Sequence, residues 1–271
     1  MESTHKQYPS IVQTIGLLLL LVALHILVQI TNSLFLEKIF NKEFCDLFRS
    51  LISAIIILFF VYFMKRKRGG KQFYNPFKAV NRNIYLGVIL VSPFYTFFTL
   101  GVVAFVSVFF IDLVPHPITS NSQGNIYSFI STVCLTPLFE ELLFRGIILD
   151  SFLHRYSCFK AIMLSVLFFF SLHYGPQIAS ALILGLSTGM LYYYTRSILP
   201  GIVLHALNNL FAFVFICLSN QNPDSKNATD ISSSFNVLFS SIGIWWILNA
   251  IVLGVLLYYF LKILRCYKKL Y

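Results

Sequence analysis

Charged side chains are scarce in this chain of 271 residues. Lys, Arg, Asp and Glu together make up 11% of it, whereas hydrophobic residues make up 58%. An ordinary soluble domain has about 25% charged and about 45–50% apolar residues. Because no water-soluble fold of this size needs so much apolar surface, the composition predicts an integral membrane protein.

Processing and cross-linking signals are also missing. The first apolar run, Ile11 to Ile30, is longer than the core of a secretory signal, and no A-x-A-like cleavage site follows it. We therefore expect it to remain as a first helix. The five cysteines are odd in number and lack the close pairing of a disulfide framework or a metal site, so we expect free thiols.

Apolar runs long enough to cross a hydrocarbon core about 30 Å thick recur along the whole chain. We predict an all-α fold of about eight transmembrane helices forming a single polytopic membrane domain over residues 1–271. The predicted spans are 11–31, 48–64, 84–111, 126–152, 159–174, 177–194, 198–218 and 235–261.

The basic residues are unevenly distributed about these spans. With a cytoplasmic N-terminus, fifteen Lys and Arg residues fall on the cytoplasmic side and four on the outer side. The positive-inside rule therefore predicts that both termini are cytoplasmic. The net charge of +10 then reflects contact with anionic lipid headgroups, and no nucleic-acid partner is expected.

Acidic residues are rarer still inside the predicted spans. Between Ser50 and Asn220 the chain has only Asp112, Glu140, Glu141 and Asp150. An intramembrane carboxylate costs at least about 2.5–3.5 kcal/mol to insert, so such residues indicate function by default. Glu141 and Arg145 are four residues apart and can pair on one helix face, which leaves Glu140 free for chemistry. The alternative is a buried ion-pair network that only holds helices together.

Two further spans carry polar groups at a matching depth. His173 ends the fifth predicted span, and His205 and Asn209 share a face of the seventh. At about 1.5 Å per residue, Glu140, His173 and Asn209 lie roughly 20–22 Å from the cytoplasmic ends of their spans, and His205 roughly 14 Å. A carboxylate, two imidazoles and an amide at one level are typical of a site that activates water and stabilises an oxyanion.

The order of these residues resembles a known family. Glu140 to Arg145 fit E-E-x-x-x-R, Phe169 to His173 fit F-x-x-x-H, and His205 to Asn209 fit H-x-x-x-N, on separate helices. This set resembles the CPBP family, which comprises CAAX prenyl endopeptidases and bacterial Abi relatives. The resemblance covers about residues 126–215, which would be the catalytic core.

The resemblance implies an intramembrane endopeptidase with roles for all six residues. Glu140 and His173 would activate water, Glu141 and Arg145 would organise the site, and His205 and Asn209 would bind either a metal or the oxyanion. In the metal alternative, Glu140, His173 and His205 would hold a divalent ion such as zinc. Two His and a Glu suit zinc, which inclines the prediction slightly toward a metal. In the other alternative catalysis is metal-independent, since Asn is an unusual zinc ligand and a natural oxyanion donor. The H-E-x-x-H zinc signature is absent.

Two neighbouring motifs have structural interpretations. Gly185, Ser187 and Gly189 match G-x-S-x-G, but a nucleophile elbow needs a strand-to-helix turn, so we predict close helix packing instead. Pro137 precedes Glu140 and is predicted to distort the fourth helix and make room for water.

The predicted substrate is a peptide or a protein, prenylated or not, reaching the site from the cytoplasmic side. The short chain with minimal loops favours a bacterial, multi-pass cell-membrane protein, with a role in bacteriocin immunity or peptide maturation. A non-catalytic immunity or scaffold protein that binds a partner peptide is the main alternative. A small-solute transporter with a Glu140 and Glu141 proton relay is another.

Overall fold

The structure is a computed structural model that describes residues 8–67, 76–110, 126–173, 175, 177–219 and 241–270. Within these ranges the chain is helical and has no strand. The helices are α1 (Ile11–Phe35), α2 (Lys42–Lys67), α3 (Arg82–Phe110), α4 (126–153), α5 (Cys158–Phe170), α6 (Gln177–Thr195), α7 (Leu199–Ser219) and α8 (Ser241–Leu270). Each predicted span overlaps one of them, and the all-α prediction is confirmed for the described residues.

Four helical stretches are long and apolar enough to cross a membrane: Ile11–Lys38, Arg82–Val106, Gln177–Thr195 and Gly243–Lys268. Three shorter apolar stretches lie in α2, α5 and α7. The count of eight spans and the cytoplasmic termini therefore remain predictions. Residues 235–240 of the last predicted span lie outside the described residues, as do Asp112 and most of the loop before that span.

Peripheral and central helices differ sharply in burial. Only 11% of the apolar stretch of α1 is buried in the bundle, against 44% for α6. The exposed side chains of α1 and α8 are themselves apolar, including Val12, Ile247 and Ile251. Such surfaces are suited to lipid, because a helix that is hydrophobic all round is stable only when it is buried or in a membrane. The C-terminal part of α4, residues 141–152, is buried throughout.

Helix α4 departs from α geometry on both sides of the two glutamates. The segments Ile130–Leu135 and Phe144–Leu149 are π-helical, and the α-helical segment Thr136–Leu143 lies between them. Pro137 lies two residues beyond the first π segment, and the kink and the room for water predicted from it stay predictions. Segments of π-helix frequently mark functional sites, because their wider turn shifts the side chains that follow.

Close packing of α5 on α6 supports the site from the other side. A Cβ on Gly185 would lie 3.3 Å from the ring of Phe169, and one on Gly189 would lie 3.2 Å from Ile162. The predicted packing role of these glycines is confirmed, because neither position has room for a side chain without movement of its neighbours. This approach brings α6 against the residues just before His173.

Helix α5 ends earlier than predicted. It stops at Phe170, so His173 lies in the turn beyond the helix instead of at the end of a span reaching 174. The N–H groups of Leu172 and His173 donate to the carbonyls of Phe169 and Phe170, three residues back, so the α-helical hydrogen-bond pattern has ended there. The prediction that the helix includes His173 is wrong for this reason, and residue 174 lies outside the described residues.

Candidate active site

The pairing predicted within α4 is present. Arg145 Nε lies 3.2 Å from Glu141 Oε2, and the two side chains are almost completely buried. Arg145 Nη2 also donates to the carbonyl of Gly185 at 3.3 Å, which connects α4 to α6. A buried carboxylate needs such a counter-charge, because an unpaired ion in this environment is strongly destabilising.

His205 of α7 lies between the two glutamates. Its Nδ1 is 3.3 Å from Glu141 Oε1, and because a carboxylate oxygen accepts, Nδ1 donates in this contact. Its Nε2 is 3.9 Å from Glu140 Oε2. That distance is too long for a direct hydrogen bond. Glu141 thus holds the imidazole so that its second nitrogen faces Glu140.

Glu140 differs from Glu141 in its surroundings. Its side chain is 26% exposed, whereas that of Glu141 is fully buried. The buried Oε2 atoms of both residues accept no hydrogen bond, but that of Glu141 has the Arg145 cation beside it. Glu140 lines a cavity of about 440 Å³ between α1, α2 and α4. Glu140 is therefore the carboxylate that has no paired arginine and that has access to a cavity.

The position of this cavity bears on the side of the membrane from which a substrate is expected to enter. Its lining includes Arg49 and Ser50, near the end of α2 that the predicted topology places on the outer side. Under that topology the cavity lies in the outer half of the bundle, so its lining does not support the expected cytoplasmic access. The reason is that the N-terminal hairpin of α1 and α2 packs beside Glu140, which the sequence pattern does not indicate.

His173 is held by the backbone of its own turn. Its Nδ1 donates to the carbonyl of Phe169 at 3.0 Å, which leaves Nε2 as the acceptor nitrogen of the neutral ring. His173 lies close enough to Glu140 for an electrostatic interaction between them. An imidazole that is held through Nδ1 and has its second nitrogen near a carboxylate is suited to act as a general base.

Phe169, which the sequence marks only as the first residue of the F-x-x-x-H motif, is part of the site. It is fully buried, and its ring centroid lies 4.9 Å from that of His173 and 6.3 Å from that of His205. The guanidinium carbon of Arg145 lies 4.4 Å from the same ring centroid, a cation–π contact. The signal available in the sequence was its position one helical turn before His173. Phe169 thus fixes the relative positions of three polar residues on three elements.

Asn209 is hydrogen-bonded to the backbone of α4, and its predicted contact with a metal or an oxyanion stays a prediction. Its Nδ2 donates to the carbonyl of Thr132 at 2.9 Å, in the first π segment of α4. This bond joins α7 to α4 and satisfies a backbone group in the irregular part of the helix. The structure therefore brings Glu140, Glu141, Arg145, His173 and His205 together, while the described hydrogen bond of Asn209 is directed to the α4 backbone.

The described residues contain no group of three or more His, Cys, Asp or Glu side chains arranged to hold a metal ion. Of the three predicted ligands, Glu140 and His205 face each other at 3.9 Å. Catalytic zinc sites commonly use three protein ligands, so this arrangement does not fit such a centre. A divalent ion held by Glu140, His173 and His205 therefore stays a prediction.

A second buried acid shows what a structural carboxylate looks like in this bundle. Asp150 Oδ1 accepts from the hydroxyl of Tyr192 at 2.9 Å and lies 3.8 Å from Arg196 Nη1. These contacts connect the C-terminal end of α4 to the end of α6. Glu140 Oε2 lies 3.9 Å from His205 Nε2 but, unlike Asp150 Oδ1, accepts no hydrogen bond, so the comparison supports a chemical role for Glu140.

The fold and this cluster define a class: a helical membrane protein with a carboxylate and imidazole site enclosed by its helices. Within it, residues 122–211 match the family model described as "Type II CAAX prenyl endopeptidase Rce1-like". The match confirms the predicted resemblance to the CPBP family and contains all six predicted site residues. It supports an intramembrane endopeptidase at the level of the family. No curated protein matches the chain. No solved structure matches it either.

Replacing Arg145 with Ala should lower both the abundance and the thermal stability of the protein. The change leaves the Glu141 carboxylate buried without its cation, which typically costs about 3–5 kcal/mol. Thermal unfolding in detergent measures the effect, and Arg265→Ala on the exposed face of α8 is the matched control. Unchanged unfolding of Arg145→Ala would contradict the pairing role.

Proposed function

We propose that the protein is an intramembrane endopeptidase in which Glu140 and His173 activate the water that attacks a peptide bond. The observation that carries this proposal is Glu140 itself: the residue lines a cavity, and its buried Oε2 accepts no hydrogen bond and faces His205 Nε2 across 3.9 Å. One water molecule can bridge a gap of this length, and it reaches the buried Oε2 when the Glu140 side chain moves. The site then has a base and an oriented imidazole beside one water position.

The reaction proceeds by direct attack of water. The water oxygen bonds to the carbonyl carbon as its proton passes to Glu140, assisted by the acceptor nitrogen of His173. The resulting oxyanion needs a positioned donor, and the imidazole of His205, oriented by Glu141, supplies one when protonated. The proton held by Glu140 passes to the leaving nitrogen as the carbon–nitrogen bond breaks.

Asn209 has a conditional part in this scheme. Its amide is committed to the Thr132 carbonyl, so a direct bond to an oxyanion requires that it exchange partners. If instead Asn209 only joins α7 to the first π segment, it acts by positioning His205 one turn away on the same helix. These two roles predict different effects of Asn209→Ala, on the catalytic rate in the first case and on thermal stability in the second.

Substrate and setting follow from the family and the membrane character. We propose a peptide or protein substrate, with surrounding lipids as the other partners, in a multi-pass bacterial cell-membrane protein. Bacteriocin immunity and peptide maturation are the biological roles proposed. The non-catalytic alternative, an immunity or scaffold protein that binds a peptide, predicts that protection of cells survives loss of the Glu140 carboxylate.

Replacing Glu140 with Gln, or His173 with Ala, should reduce peptide hydrolysis by at least about 10²-fold, the contribution typical of general acid–base catalysis. Membrane insertion and abundance should stay near those of the unmodified protein. The measurement is cleavage of a library of internally quenched peptides by protein in lipid vesicles. Glu37→Gln, a change to an exposed acid, is the control.

If both variants cleave the library at the unmodified rate, the catalytic assignment of Glu140 and His173 is wrong. If Glu140→Gln loses hydrolysis but still protects cells from a bacteriocin, the immunity role is independent of catalysis.

Removing metal distinguishes the two proposed mechanisms. If Glu140, His173 and His205 hold a divalent ion, exhaustive chelation should abolish hydrolysis, and zinc should restore it. If catalysis is metal-independent, chelated protein should keep its rate, while Asn209→Ala should lower it by about 10²–10³-fold if Asn209 is an oxyanion donor. Elemental analysis of the active, purified protein provides a second readout. Full activity without bound metal would rule out the metal mechanism.

A further inference from the structure

We propose that the α1–α2 hairpin forms the specificity wall of the active site, and that Ala54 sets the size of the aliphatic substrate side chain bound beside Glu140. This inference rests on the proposed function, because it assigns the substrate of that same site. It concerns helices outside residues 122–211, so the family match does not include them.

The cavity of about 440 Å³ connects the hairpin directly to the candidate catalytic carboxylate. Its lining comes from α1, from α2 and from the α4 residues around Glu140, with Leu172 beside them. A volume of several hundred Å³ is typical of pockets that enclose a bound molecule, and it is large enough for more than one side chain. A peptide whose scissile bond lies at Glu140 would therefore place neighbouring side chains against the hairpin.

The chemistry of the lining selects apolar groups. Leu21, Val22, Ile26, Ile56 and Ile57 contribute aliphatic surface. Branched aliphatic walls favour aliphatic side chains, because binding removes apolar surface from water on both partners.

Three of the polar residues in the lining form hydrogen bonds that join the helices of the wall. His25 Nδ1 lies 3.1 Å from Ser53 Oγ, joining α1 to α2. Ser50 Oγ lies 2.6 Å from Ser131 Oγ, joining α2 to α4. These bonds fix the walls relative to one another. They also reduce the polar surface that the cavity presents to a ligand.

The aliphatic lining also selects against charge. A substrate side chain carrying a positive charge would lose its hydration among these apolar groups. We therefore expect Lys and Arg to be rejected at this subsite.

Ala54 is the small residue in this wall. It is 5% exposed and lies among the larger aliphatic residues of α2. Its short side chain leaves space that a longer one would fill. Ala54→Leu or Ala54→Phe should thus shrink the subsite, and Ala54→Gly should enlarge it, without touching the proposed catalytic residues.

The first experiment measures specificity with protein in lipid vesicles. Internally quenched peptides differ only in the residue next to the scissile bond, which is Ala, Leu, Phe or Lys. The unmodified protein should prefer Leu to Lys, and Ala54→Leu should change the Leu-to-Ala ratio of kcat/KM in favour of Ala by about tenfold or more. Ala54→Gly should raise the Phe-to-Leu ratio of kcat/KM. This variant keeps the test valid if the larger substitutions fail to fold.

Ala23 provides the matched control. It lies on α1 of the same hairpin, is exposed on the outer surface and does not line the cavity. Ala23→Leu and Ala23→Phe should leave the peptide preferences unchanged. Equal preferences in the Ala54 and unmodified proteins, or an equal change in the Ala23 controls, would overturn the inference.

A second experiment separates this inference from the proposed function. The same Leu peptide, with a photoreactive diazirine leucine next to the scissile bond, is bound to Glu140→Gln protein, irradiated and mapped by mass spectrometry. We expect cross-links to α1 and α2 that disappear in the double variant with Ala54→Phe. Cleavage by the unmodified protein with cross-links confined to α5–α7 would overturn the specificity wall alone. Hairpin cross-links without any cleavage would contradict the proposed protease activity and leave the subsite in place. The absence of both cleavage and hairpin cross-links would overturn the proposed function and the specificity wall together.

Discussion

The carboxylate of Glu141 is the group on which the organisation of the site depends. One of its oxygens pairs with Arg145 Nε at 3.2 Å, and the other accepts from His205 Nδ1 at 3.3 Å. Arg145 in turn contacts the carbonyl of Gly185 on α6 and the ring of Phe169 on α5. Four helices thus meet through one buried anion. Such a network has the rigidity that a preorganised site requires, because each polar group is oriented by another.

This arrangement explains why two adjacent glutamates are useful in a membrane protein. On a helix their side chains point about 100° apart. Glu141 faces the interior, where its charge is compensated by Arg145, and Glu140 lines the cavity, with a buried Oε2 that accepts no hydrogen bond. The stable ion pair and the reactive carboxylate are therefore assigned to neighbouring positions. The π segments on either side adjust the direction in which this pair of residues points.

Much of this could be predicted from the sequence because it depends on local spacing. Apolar run lengths predicted the helices, and the four-residue separation of Glu141 and Arg145 predicted their ion pair. Features that depend on tertiary contacts could not be predicted this way. The π segments of α4 contain residues that also form α-helices, and α5 ends before His173 in a turn whose hydrogen bonds reach three residues back instead of four. The bond from Asn209 to Thr132 and the cavity beside the α1–α2 hairpin arise only when distant helices pack.

The most direct test of the division between the two glutamates is the thermal stability of Glu140→Gln and Glu141→Gln, measured side by side in the same detergent. Removing the Glu141 charge should lower stability, because Arg145 and His205 lose their shared acceptor. Removing the Glu140 charge should leave stability equal to or higher than that of the unmodified protein, because a partly buried carboxylate oxygen without a partner is costly. Equal losses in both variants, or a larger loss for Glu140→Gln, would contradict this account of the site.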